Sequence, residues 1–121
     1  MSRESIRQAF KTAVASVYSG RVYTTRVTDN REDTEYVAIY IEDGEIGHNS
    51  TSKEYDSRII VRYCKQRATD EALDAVADQL IAAVESHATV RQAVKRPILT
   101  GFDYEPDSTH NGLNHIFRIL Y

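Results

Sequence analysis

The chain has 121 residues, with 15 Lys and Arg against 18 Asp and Glu for a formal net charge of −3, and an isoelectric point near 5.8. That balance argues against nonspecific binding to nucleic acid, which relies on Lys and Arg neutralising phosphates. The length fits one domain that buries roughly two-thirds of the surface its unfolded form exposes, with no disulfide or metal needed.

In chain order, Ile6, Ala9, Phe10, Ala13, Val14 and Val17 recur at helical spacing. They predict an amphipathic helix over residues 3–18, with Ser2 as N-cap and Gly20 as its stop. Arg3, Glu4, Arg7 and Lys11 break any apolar run there, so the segment reads as neither a signal peptide nor a membrane span, and the protein is expected to start out in the cytosol. RVYTTRVT, residues 21–28, is rich in β-branched residues and predicts a strand that DNRED then breaks. EYVAIYIE, residues 35–42, alternates Val37, Ile39 and Ile41 with Tyr36, Ala38 and Tyr40, a strand covered on both faces. SRIIVRYC, residues 57–64, does the same with Ile59, Val61 and Tyr63 against Arg58, Ile60, Arg62 and Cys64. The aliphatic faces of both strands are expected under the helices, leaving Tyr36, Tyr40, Arg58 and Arg62 together on the opposite face. Cys64, the one cysteine, reads as a small packed side chain in a reducing compartment.

A second helix begins at TDEALDAVADQLIAAVESH, where Thr69 caps, Asp70 and Glu71 oppose the helix dipole, and Leu73, Val76, Ala77, Leu80, Ile81 and Val84 form the core stripe. A helical turn at TVRQAV ends before Pro97, and two strands follow, ILTGFDYEP and NHIFRILY, joined by DSTHNG with Asn111-Gly112 as the turn. The expected fold is α+β: a single domain over residues 1–121, with a mainly antiparallel or mixed sheet and two principal helices on one face.

Between the two central strands lies GEIGHNSTSKEY, residues 44–55, longer than the two to five residues a hairpin loop needs. The Ser50 to Lys53 spacing matches a nucleophile motif that works only at the start of a buried helix, and the flanks here are strands. Asn49-Ser50-Thr51 fits a glycosylation sequon, which a chain without a secretory signal does not use. His48, His87, His110 and His115 lack metal-ligand spacing, and Asp103, Asp107 and His110 are common turn residues as well as a conceivable carboxylate-histidine set. No catalytic residue, metal site or cofactor is therefore expected. The segment is read as a polar loop that reaches a partner, through Glu45, His48, Asn49, Ser50, Thr51, Ser52, Lys53, Glu54 and Tyr55, and that orders on binding. Eight tyrosines against three phenylalanines and no tryptophan also point to an interface.

Three stretches give the chain a resemblance to a known family: VAIYIEDGE leading into the polar loop, the acidic helix start TDEALDAV, and the closing GFDYEPDSTHNGLNHIFRILY. Over residues 36–121 they resemble the tail terminator proteins of long-tailed phages, also called minor tail protein U. The N-terminal helix fits by position, whereas residues 21–33 depart from the pattern in lacking a Pro before the first central strand. The resemblance implies a subunit of a six-membered ring, made in the host cytoplasm and placed in the virion tail. Such a ring caps the tail tube, halts its polymerisation and presents a surface to the head or neck. Its partners would be copies of itself, the tube protein and a head-tail connector or neck protein, with no membrane and no sequence-specific nucleic acid. A ring contact is expected between Asp70, Glu71 and Asp74 of one subunit and a basic strand bearing Arg58 and Arg62 in the next, with Tyr36 and Tyr40 nearby. The competing reading is an adaptor or regulatory domain, monomeric or dimeric, that uses the same loop.

Overall fold

A computed structural model describes residues 2–49 and 52–121, apart from the side chains of His48, Asn49, Ser52 and Arg96. Helix α1 spans Arg3–Ala15. Ser2 caps it as expected, its Oγ accepting from the Ser5 N–H at 3.1 Å. The helix ends earlier than the periodicity predicts: the Ser16 N–H turns back to the Thr12 and Ala13 carbonyls, and Val17 is left 49% exposed instead of extending the buried stripe. Gly20 plays no part in that stop.

The remaining elements are β1 (Arg21–Tyr23), β2 (Glu35–Asn49), β3 (Ser52–Lys65), α2 (Asp70–Ser86), α3 (Ala88–Ala93), β4 (Lys95–Tyr104) and β5 (Asn111–Leu120). They build an α+β domain on one five-stranded sheet of order β1-β2-β3-β5-β4. Only the β1–β2 pair is parallel, and the others are antiparallel. Strand β1 keeps just three of the eight residues predicted for it.

Alternation divides the sheet's side chains between two cores. On the helix face, Val37, Ile39, Ile59, Val61, Tyr63, Leu113, Phe117 and Ile119 pack under Ile6, Phe10 and Val14 of α1 and Leu73, Leu80 and Val84 of α2. Phe10 meets Phe117 edge to face at 6.0 Å, a favoured arrangement of two ring quadrupoles. Thr69 caps α2 through its Oγ1, which accepts from the Ala72 N–H at 3.2 Å. The outer face carries a smaller core of Tyr36, Ala38 and Cys64, covered by Tyr23, Val27 and Tyr40. Burial pushes the Cys64 thiol pKa up, so the cysteine is a packed apolar side chain there.

Two local expectations are corrected. Asn111-Gly112 is not a turn, since both residues are paired in β5, Gly112 opposite Cys64, and no glycine takes a positive φ. Gly112 is required for another reason: a methyl group on it would fall on the Arg62 guanidinium, which crosses the strand at that point. Of the dozen residues read as an open loop, 44–49 and 52–55 are strand instead, and Ser50 and Thr51 lie outside the described residues. Strands β2 and β3 pair through them, Gly44 with Ser57, Glu45 with Asp56, Ile46 with Tyr55, Gly47 with Glu54, His48 with Lys53 and Asn49 with Ser52.

Candidate interaction surfaces

Of the four residues expected on one exposed sheet face, two are buried, one is half-buried and one is exposed. Tyr36 is fully buried and Arg62 is 5% exposed, so neither lies on the free surface of the single subunit where the sheet face was expected to present them. Their cover comes from the β1–β2 connection and from residues 105–110, where the His110 ring meets Tyr36 edge to face at 5.1 Å. Tyr40 is half-buried beneath the Arg26 guanidinium, 4.7 Å from its ring. Arg58 is exposed and donates to Asp43 at 2.7 Å, and the charge-assisted bond holds the Asp43 carboxyl below its usual range.

Arg62 ties down the segment that closes the outer core. Its Nη1 donates to Asn114 Oδ1 at 3.0 Å and its Nη2 to the Glu105 carbonyl at 2.7 Å, with the Glu105 and Asp107 carboxylates at 3.5 and 3.8 Å. Asn114 in turn donates to Asp103 at 2.8 Å. The carboxylate-histidine set of Asp103, Asp107 and His110 is thus gathered as a strut with a structural task. Because a carbonyl oxygen only accepts, His110 Nε2 is the protonated nitrogen facing the Asp33 carbonyl at 2.7 Å. Its Nδ1 lies 2.7 Å from Thr109 Oγ1, and both ring nitrogens are engaged. Burial alone would raise the Asp107 pKa, but the Thr109 and His110 N–H groups donate to it and bring it below its usual value. Among the described residues no three His, Cys, Asp or Glu side chains are grouped to hold a metal ion, and no helix is long and apolar enough to cross a membrane.

The hairpin of β2 and β3 forms an arm. Strand β5 supports β3 as far as Asp56, opposite Leu120, and Tyr55 exchanges backbone bonds with Tyr121 at 2.7 and 3.0 Å. Beyond Tyr55 three residue pairs, Gly47 with Glu54, His48 with Lys53 and Asn49 with Ser52, continue as a two-stranded ribbon, so the arm projects about 10 Å at ~3.3 Å per residue, well short of the ~40 Å of path that an open loop of twelve residues would trace. At its base the Tyr55 and Tyr121 rings stack at 5.1 Å, Arg3 lies 5.4 Å over Tyr55, and Arg118 grips Asp56 at 2.7 Å. Of the residues expected to meet a partner, Glu45 and Lys53 are exposed and Glu54 and Tyr55 half-buried, whereas Ser50, Thr51 and the side chains of His48, Asn49 and Ser52 lie outside the described residues. Ile46, 55% exposed, is an apolar group on the arm that composition alone hid.

A second surface lies at the far edge of the sheet. Strand β4 pairs only with β5, yet it exposes Ile98, Leu99, Phe102 and Tyr104, with Phe102 62% exposed. Leu99, Phe102 and Tyr104 stand opposite Phe117, His115 and Leu113, which places them on the helix face beside α2. The Tyr104 hydroxyl donates to Asp74 at 2.5 Å, and that bond pushes its pKa up to about 12. Phe102 stacks on His115 at 6.0 Å. Burial lowers the His115 pKa, opposed by Asp78, Asp74 and Glu85. The acidic start of α2 was legible in sequence, and Asp70 and Glu71 are exposed there as expected. The aromatic edge below it was missed, although the Phe-Asp-Tyr alternation of residues 102–104 already put two rings on one face.

Natural strand edges are blunted by charges, prolines or bulges against unwanted pairing. Strand β4 carries these devices over its first half, with Lys95, Pro97 and register shifts at Lys95/Ile98 and Leu99/Gly101, but Phe102 and Tyr104 beyond them stay exposed, as on a surface meant to be covered.

The family model described as phage minor tail protein U matches residues 1–121, the whole chain. None of the curated proteins matches it. Among solved structures, a chain of the virion of a native gene transfer agent particle aligns with 94% of this chain and 92% of its own length, at 13% identity and a TM-score of 0.46.

Proposed function

Because this chain belongs to the phage minor tail protein U family, whose model spans residues 1–121, we propose that it is the tail terminator. On this reading the subunit is made in the host cytoplasm, joins a closed ring of six copies at the end of the tail tube, stops tube growth and offers its other face to the head or neck. It works by covering surfaces, without a catalytic centre or a cofactor.

The whole-chain family match carries the proposal. Two features of the fold support it. The arm projects past the sheet with exposed Glu45, Ile46 and Lys53, a shape suited to contact with a neighbouring ring or tube subunit. The β4 edge presents contiguous apolar side chains that a lone domain has no reason to expose.

Light scattering coupled to size exclusion tests the ring, run from dilute to concentrated protein and again with tail tubes added. One defined species of six times the 13.8 kDa subunit mass is expected. A strict monomer that also leaves tube ends bare would reject the reading.

A further inference from the structure

Strand β1 pairs with β2 only at Tyr36, Val37 and Ala38. From Ile39 to Asn49, among the described residues, no strand lies against β2 on the side away from β3. The sheet therefore has two edges without a neighbouring strand at its opposite ends, β4 and the distal part of β2, the latter met by a side chain at Glu42, whose carbonyl accepts from Arg26 at 3.3 Å.

The two edges are complementary layer by layer. In the strand layer, β4 offers Leu99, Phe102 and Tyr104 on the helix face. The β2 edge offers Ile41 and Ile46, which line a shallow depression with Arg3 and Arg7 of α1. In the helix layer above β4, the nearest charges are acidic, Asp74 and Asp78 of α2. Above the β2 edge stand Arg3, exposed, and Arg7, half-buried and bonded to Glu4 at 3.0 Å, while Asp43 of the same depression is engaged by Arg58. Apolar groups thus meet apolar groups, and carboxylates meet guanidinium groups, when the β4 end of one copy approaches the β2 end of another.

We infer that the end of β4 past its second register shift, residues 101–104, adds to the open β2 edge of the next copy, so that one sheet continues from subunit to subunit. The contact joins two different patches and leaves a free edge at each end of any open chain, which a closing rotation consumes. This deepens the ring proposal and rests on it. It also replaces the basic half of the contact expected from sequence: Arg3 and Arg7, instead of the exposed Arg58 and the buried Arg62, face the acidic helix.

Two surface variants test it, each placing a charge that repels the opposing helix. Phe102→Lys blocks β4 and Ile46→Asp blocks β2, and both parent side chains are more than half exposed, so melting temperatures should stay at the parent value. Each variant alone is expected to remain a monomer at concentrations where the parent is fully assembled. Mixed in equal amounts they retain one good β4 edge and one good β2 edge between them, and the two altered edges carry charges of opposite sign, so alternating copies should recover the parent's assembled mass. If either variant alone assembles like the parent, or the mixture stays monomeric while the parent forms rings, edge pairing is wrong and the ring is held by other surfaces. If the parent itself is monomeric at every concentration and on tubes, the ring reading falls and this contact falls with it.

Discussion

Replacing Arg62 by Met keeps the stem that crosses Gly112 and removes the guanidinium. In the folded protein that group donates to Asn114 Oδ1 and to the Glu105 carbonyl at 3.0 and 2.7 Å and is 5% exposed. Hydrogen bonds from a charged group contribute about 1.5–3 kcal/mol each, and removing one partner of a buried charge network costs about 3–5 kcal/mol because the other partners stay desolvated. Both routes converge near 4 kcal/mol. For a domain of this size each kcal/mol shifts the melting temperature by roughly 3–5 °C, so a fall of about 10–20 °C is expected by circular dichroism. Urea titration should show a lower midpoint with an unchanged slope. Gly112→Ala supplies the coupling control: its added methyl displaces the guanidinium when Arg62 is present and meets little when the second substitution is Arg62→Ala. The double-mutant cycle should therefore be non-additive by about 1 kcal/mol or more. A melting temperature within 2 °C of the parent, combined with lost assembly, would refute the reasoning and return Arg62 to the surface role first expected of it.

Phe10→Ala empties the edge-to-face partner of Phe117 in the helix-side core and should cost about 3–5 kcal/mol in urea unfolding. His115 is held neutral by burial, its pKa lowered from the ordinary 6.5, so below that value the unfolded chain binds the extra proton. Stability should therefore fall as pH drops from 6.5 toward the lowered value, and His115→Gln should flatten that part of the curve. On the arm, Lys53→Ala and Glu45→Ala alter exposed groups and should move the melting temperature by less than 2 °C while weakening capture on tail tubes in a pull-down. Asp70→Ala removes an exposed first-turn carboxylate of α2, with a loss of about 0.3–1 kcal/mol in folding stability and a larger, salt-dependent loss of assembly by light scattering.

Apolar periodicity made the helices and the division of the strands into two faces legible. Ile6, Phe10 and Val14 repeat at one spacing and Val37, Ile39 and Ile41 at another, and each set is packed as its spacing requires, save that Ile41 is only partly buried. The arm was illegible for a physical reason. A two-stranded ribbon with both faces in solvent selects no apolar alternation, so Gly44, Gly47, Asn49 and their polar neighbours carry the composition of a turn while pairing as strand. The burial of Tyr36 and Arg62 depends on cover from the β1–β2 connection and residues 105–110, distant in sequence and without periodicity of their own. The aromatic pair Phe102 and Tyr104 is visible in sequence, but its value as a surface comes from β4 being the last strand of the sheet. Strand order is a property of topology that local pattern does not encode.

The most direct test of tail termination is tube growth itself. Tube protein polymerising in the presence of this chain is expected to give tubes of arrested length, each carrying a ring at one end in negative-stain electron micrographs, and tubes capped in this way should resume no growth when fresh tube protein is added. Tubes that keep lengthening at an unchanged rate with bare ends, at concentrations where the ring is fully formed, would contradict it.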